Sequence, residues 1–200
     1  MRYLTLLLCL IPTICFGAFT WNGAAVSGIN GATVSHWNGV EVGGASYGPE
    51  KMTNGDVESA LPTMNGVSIS LYNTTVAQSS DMAHAGTYSI KFQETATSTG
   101  ANMRYLDGSD CGLVSGHEYF MSVWVYIPSG QVLSSVTLGI RTGSSSTIVL
   151  DETTTTDTWV HLTGQFTDDD VQRVFLIAMT GDTGGTDIIY LDDLSIKEVL

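Results

Sequence analysis

From residue 67 onward the chain alternates apolar and polar positions in short runs, the period of a half-buried strand and not of a helix. Val67 to Leu71, Thr87 to Phe92, Tyr119 to Ile127, Val136 to Ile140, Ser145 to Leu150, Trp159 to Phe166, Val171 to Met179 and Ile188 to Ile196 are predicted as strands. Turn residues separate nearly all of them: Ala85-Gly86, Asp107-Gly108, Ser115-Gly116, Pro128-Ser129-Gly130, Thr142-Gly143, Gly181-Asp182 and Gly184-Gly185. Such spacing without helical crossovers predicts an all-β, antiparallel sandwich or barrel. In the longest run Tyr119, Met121, Val123, Val125 and Ile127 share one face and make the better core. Phe120, Ser122, Trp124 and Tyr126 share the other, which is expected to face outward.

The first segment follows different rules. Arg2 precedes an apolar run from Leu4 to Phe16, broken by Pro12 and closed by the small residues Gly17 and Ala18. That is the make-up of a signal peptide, 1–17, and predicts a secreted, extracellular or cell-surface protein. The run falls short of the ~20 residues that cross a bilayer and no later stretch approaches it, so no membrane span is expected after cleavage. An uncleaved anchor is the competing reading. Cys9 and Cys15 leave with the leader, and the remaining Cys111 has no partner for an internal disulfide.

Residues 18–49 form an arm with a repeat. Asn22-Gly23-Ala24-Ala25-Val26-Ser27, Asn30-Gly31-Ala32-Thr33-Val34-Ser35 and Asn38-Gly39-Val40-Glu41-Val42-Gly43 recur with a period of eight, each after Trp21, Ile29 or Trp37. Asn-Gly favours the type I′ turn of a hairpin, and strands this short must stack on something: on one another, on the rest of the chain or on other copies of it. A homo-oligomer built through the arm is one expectation; a glycine-rich linker is the other. The repeats resemble those of phage tail-associated and bacterial surface proteins, which implies attachment or assembly. Gly43 to Pro49 marks the boundary, and residues 50–200 are expected to fold as one β-sandwich.

Charge narrows the partners. Seven Lys and Arg against twenty Asp and Glu give a net charge of -13, a surface that repels phosphate backbones, so nucleic acid is excluded. His36, His84, His117 and His161 lack metal-ligand spacing, and the chain has neither a Gly-x-Ser-x-Gly nor a phosphate-cradling loop, so no enzyme is expected.

Several segments, in order, resemble the carbohydrate-binding modules of the jelly-roll group that includes families four, nine, sixteen and twenty-two. They are Thr53-Asn54-Gly55-Asp56-Val57-Glu58, His84-Ala85-Gly86-Thr87-Tyr88-Ser89-Ile90-Lys91, Gly116-His117-Glu118-Tyr119-Phe120-Met121-Ser122-Val123-Trp124-Val125, Trp159-Val160-His161-Leu162-Thr163-Gly164-Gln165-Phe166-Thr167 and Tyr190-Leu191-Asp192-Asp193-Leu194-Ser195-Ile196. The chain departs from them at Val57, where an aromatic is usual, and between Pro62 and Thr75, where Met64 and Tyr72 stand in for a tryptophan.

The resemblance implies an antiparallel jelly-roll β-sandwich, like a galactose-binding domain, with a structural calcium tying the first strand to the last. It implies Glu58 and Asp192 as side-chain ligands, Asp193 as the alternative to Asp192, and backbone oxygens near Asp56 and in the His84 to Thr87 turn. Strand parity adds that Asp192, in step with Leu194 and Ile196, should face the core and need a partner there. A sugar site needs an exposed aromatic platform beside polar groups. Trp124, Tyr126 and Arg141 meet that need by parity, and the resemblance adds Arg104 and Tyr105. The expected function is a secreted, non-catalytic module that binds a polysaccharide or cell-surface glycan; the alternative is a surface or virion-associated assembly protein.

Overall fold

The computed structural model describes residues 20–21, 24–25, 28–29, 32–33, 36–37, 40–41, 45–61, 63–64, 67–68, 70–96, 100–105, 112–142, 146–168, 173–181 and 185–200. The expected signal peptide and Cys111 lie outside them. The chain divides into two compact units, Met1–Ser46 and Tyr47–Leu200.

In the first unit β1 (Thr20–Trp21) pairs with β2 (Ala24–Ala25), β3 (Gly28–Ile29) with β4 (Ala32–Thr33), and β5 (His36–Trp37) with β6 (Val40–Glu41). Each pair is a separate antiparallel two-stranded sheet. Trp21 pairs with Ala24, Ile29 with Ala32 and Trp37 with Val40, so two residues separate the innermost partners every time. The second unit holds a fourth hairpin of the same build, β8 (Thr63–Met64) with β9 (Val67–Ser68), in which Met64 pairs with Val67.

The second unit is otherwise two antiparallel sheets. Its strands are β7 (Tyr47–Glu50), β10 (Ser70–Tyr72), β11 (Thr74–Ser79), β12 (Ser89–Glu94), β13 (Gly100–Tyr105), β14 (Glu118–Tyr126), β15 (Ser135–Thr142), β16 (Ser146–Thr153), β17 (Trp159–Thr167), β18 (Arg173–Thr180) and β19 (Ile188–Val199). A five-stranded sheet runs β10-β13-β18-β15-β16. A six-stranded sheet runs β11-β12-β19-β14-β17, with β7 added on β19. Alternation drives the layering. Ile90, Phe92, Tyr119, Met121, Val123, Val125, Leu162 and Ile189 from one sheet, with Val136, Leu138, Ile140, Ile177 and Met179 from the other, form one buried cluster. The inward set expected on the longest strand, β14, is the set found, and no described residue is helical.

Where the sheets close on each other, Gly164 faces Leu150. A Cβ there would lie 2.5 Å from the leucine Cβ, so only glycine lets β17 and β16 approach this closely. The first segment is laid along the last strand: the Lys51 N–H donates to the Ile196 carbonyl at 2.8 Å, and the Leu194 N–H to Gly55 O at 2.9 Å. Glu50 Oε1 takes the N–H groups of Met52 and Ile196 at 2.9 and 2.8 Å. Val57, at the position where the resembled modules carry an aromatic, is fully buried in the core.

Candidate functional site

Two carboxylates from opposite ends of the second unit hold one loop, residues 84–88. Glu58 Oε1 accepts the N–H groups of Thr87 and Tyr88, both at 2.9 Å. Asp192 Oδ2 accepts those of His84 at 2.8 Å and Ala85 at 3.2 Å, and its Oδ1 accepts the Asp193 N–H at 2.8 Å. Glu58 is aimed there by Val57, a β-branched residue held at φ 59°, a conformation such residues rarely adopt. Gly86, at φ 65°, lies so close that a Cβ would sit 2.4 Å from Glu58 Oε1.

The expected direction of Asp192 needs correction. It is fully buried, yet it pairs across the sheet with the outward Trp124, and the loop covers it from the outer side. The register of β14 against β19 shifts between Ser122 and Trp124, and Asp193 takes φ 48°, so the parity read from Leu194 and Ile196 does not carry back to Asp192. Burial pushes the Asp192 carboxyl above its ordinary range, against the pull of three backbone N–H groups.

The four carboxylates expected around a metal have separate engagements. Asp193 Oδ2 meets His84 Nδ1 at 2.7 Å, and Asp56 Oδ1 accepts the Glu58 N–H at 3.4 Å. Among the described residues no group of three or more His, Cys, Asp and Glu side chains is placed to hold a metal ion. A calcium at this loop would therefore have Glu58 and Asp192 as its side-chain ligands and carbonyl oxygens for the rest.

Trp124 and Tyr126 do lie on the outer face of the six-stranded sheet, but among other rings. The indole of Trp124 is stacked with His161, its cross-strand partner on β17, at 4.6 Å, and with His84, held at Asp193 on the β19 side, at 3.9 Å. Tyr126 lies 5.6 Å from Trp159 and 6.4 Å from Tyr190. Burial and the neighbouring His84 hold the His161 imidazole below its ordinary pKa. Sequence reading missed this stack because His84 reaches it from a loop, through a contact that no strand period encodes.

Arg141 is elsewhere. It follows the core residue Ile140 on β15, at an outward position of the five-stranded sheet, so the sandwich separates it from Trp124 and Tyr126. The expected five-residue site thus splits between the two sheets. Arg104 and Tyr105 belong with Arg141: on β13, Arg104 pairs with Leu176 of β18, which pairs with Gly139 of β15. Tyr105 falls in the row of Phe175 and the inward Ile140, one position from the outward rows. The outward rows of this sheet also contain Tyr72 and Val149, which are 52% and 56% exposed at its two edge strands. Between them stand Thr137 and Leu176, 3% and 7% exposed, with the small residues Gly139 and Ala178. A shielded middle with exposed rims is the burial gradient of a trough.

The comparisons agree with this architecture. Among solved structures, the chain is similar to the xylan-binding domain CBM22-1 of Xyn10C from Paenibacillus barcinonensis, with 18% identity and a TM-score of 0.57 over 78% of this chain and 98% of that one. It is also similar to the C-terminal family 22 carbohydrate-binding module of Clostridium thermocellum Xyn10B, with 17% identity and a TM-score of 0.55 over 76% and 93%. At these identities the likeness is one of fold. No curated protein matches the chain. The family model described as a carbohydrate binding domain matches residues 51–184, well over half of the chain. The chain therefore belongs to this family of carbohydrate-binding domains, folded as a jelly-roll sandwich.

Proposed function

We propose that the protein binds an extended polysaccharide outside the cell, in the trough on the outer face of the five-stranded sheet, without acting on it chemically. The observation that carries this reading is the arrangement of that face. Gly139 and Ala178 place small residues on the middle strands, Tyr72 offers an exposed ring at one rim, and Arg141 stands at one end. A sugar ring needs these elements, an apolar face to rest on and polar groups for its hydroxyls. Trp124 serves worse, because imidazoles flank its indole.

Xylan is the first polymer to test, since it is named for the similar Paenibacillus domain. Affinity electrophoresis against xylan and other plant, bacterial and algal polysaccharides reads the result. Retardation that Tyr72→Ala or Arg141→Ala abolishes in a folded protein supports the trough. Retardation abolished only by substitutions on the six-stranded face moves the site there.

A calcium held by Glu58, Asp192 and backbone oxygens is part of the same proposal, as a brace for the 84–88 loop. A cation bound only by the folded chain adds about 2.7 kcal/mol at a hundredfold excess over its Kd. EDTA should then lower the melting temperature by several degrees and calcium restore it; an unchanged melt removes the ion.

The assembly reading has its own observation, the three hairpins of one build in the first unit. Light scattering of the full chain and of a chain lacking residues 18–45 tests it: an oligomer that becomes monomeric on deletion supports assembly through the arm.

A further inference from the structure

The chain has seven asparagines, and five of them, Asn22, Asn30, Asn38, Asn54 and Asn65, precede a glycine, a pair suited to turns. Asn102 belongs to β13. The seventh, Asn73, is the single residue between β10 and β11. With Thr74 and Thr75 it makes the one Asn-x-Ser/Thr of the chain, the acceptor pattern for an N-linked glycan.

A turn accounts for Asn73 only in part. Asn54 and Asn73 both take the left-handed region, at φ 58° and 53°, where asparagine is enriched. The Asn54 side chain is committed at both ends: its Oδ1 accepts the Ser59 N–H at 2.8 Å, and its Nδ2 donates to the Ser59 carbonyl at 3.1 Å. At Asn73 the backbone alone is engaged, its carbonyl accepting the Thr95 N–H at 2.8 Å. Its side-chain amide has no partner among the described residues. Thr75 is exposed, on the outward face with Gln93, and its hydroxyl has no partner among them either.

The position gives the pattern a use. The β10 strand ends the order of the five-stranded sheet and β11 that of the six-stranded sheet, so Asn73 joins two edge strands, one from each sheet. Edges are commonly guarded by charge or proline, and neither β10 nor β11 contains Asp, Glu, Lys, Arg or Pro. The opposite edges differ. There β16 carries Asp151 and Glu152, and Asp151 Oδ2 takes the Thr163 N–H of β17 at 3.0 Å.

We propose that Asn73 is the attachment site of an N-linked glycan, and that this glycan shields the β10 and β11 edges from pairing with other chains. The donor is a lipid-linked oligosaccharide of a secretory compartment, where the leader expected at 1–17 would direct the chain. The Asn73 side-chain nitrogen bonds to the anomeric carbon of the donor, the bond from that carbon to the pyrophosphate oxygen breaks, the lipid pyrophosphate leaves, and the nitrogen gives up one proton.

The test is secretion of the full chain from insect cells, followed by peptide N-glycosidase in ¹⁸O water and mass spectrometry of the tryptic peptide 52–91. The enzyme turns a glycosylated asparagine into labelled aspartate, and fragment ions separate Asn73 from Asn54 and Asn65 in the same peptide. Label on Asn73 is expected, lost in Thr75→Ala and kept in Thr75→Ser. An unlabelled Asn73, or protein from the natural source without a glycan there, overturns the assignment. Light scattering then reads the role. The enzyme-stripped chain and Thr75→Ala should associate faster than the glycosylated chain, and Thr75→Lys, which places a charge on the same edge, should abolish the difference. Equal association with and without the glycan overturns the shielding. Should the Thr75 variants fail to fold, the unaltered chain before and after enzyme treatment decides both points.

Discussion

The two outer faces of this sandwich use their polar residues in opposite ways. On the six-stranded side, rings and carboxylates are committed to one another: His84 and His161 stack on Trp124, Asp193 meets His84, and Asp192 is buried under the 84–88 loop. On the five-stranded side the middle rows hold residues such as Gly139, Ala178 and Leu176, and Tyr72 and Val149 are exposed at the edge strands. A face whose groups satisfy each other contributes to stability; a face whose groups face outward can recognise a ligand. On the reading proposed above, aromatic content alone points to the other side.

Substitutions should separate the faces. The largest effect is expected from Asp192→Ala, which leaves three N–H groups without their acceptor and should cost roughly 3 kcal/mol, close to 10 °C in melting temperature. Trp124→Ala follows, at about 2 kcal/mol from the lost stacking and packing. The comparison makes it specific: polysaccharide affinity should stay within twofold, and an abolished affinity in a folded Trp124→Ala protein would reverse the assignment of faces. Gly86→Ala should cost about 1–2 kcal/mol, because φ 65° disfavours a side chain and the Glu58 carboxylate must move aside. A calorimetric scan reads all three.

The smallest effect is on pH dependence. His161 has a lowered folded pKa, so the unfolded chain takes up its proton first, and the stability this group contributes above 6.5 is lost as pH falls below that value. Asp192 has a raised folded pKa, so between that value and 3.8 the folded chain holds the proton and this group favours folding as pH falls. Melting curves between pH 7.5 and 5 should therefore decline less steeply in His161→Gln than in the unaltered chain. Identical slopes would mean that the imidazole stack carries no proton linkage.

Much of the architecture was legible because alternation survives along the long strands. The inward set on β14 follows from parity alone, and β17 begins at the expected Trp159. Among the described strands of the second unit β7, β8, β11 and β13 escaped. In β11, Thr74-Thr75-Val76-Ala77-Gln78-Ser79, one large apolar residue stands among small and polar ones, as an edge strand permits. The β13 strand, Gly100–Tyr105, has no clear alternation. The site was harder to read. Parity says that Trp124 and Arg141 both face away from the core, but it does not say that their strands belong to different sheets. Asp192 failed for a local reason, since a register shift at Asp193 inverts every face assignment carried across it.

The clasp on residues 84–88 also bears on when this protein becomes whole. The Asp192 oxygens that hold His84 and Ala85 come from 108 and 107 positions further along the chain. A ribosome releases Asp192 long after the loop, so a nascent or shortened chain has the loop with only the Glu58 half of its fastening. Closure then reports that synthesis has passed residue 192. Fragments stopping before residue 192 should be nicked by proteases at residues 82–88, where the finished protein resists.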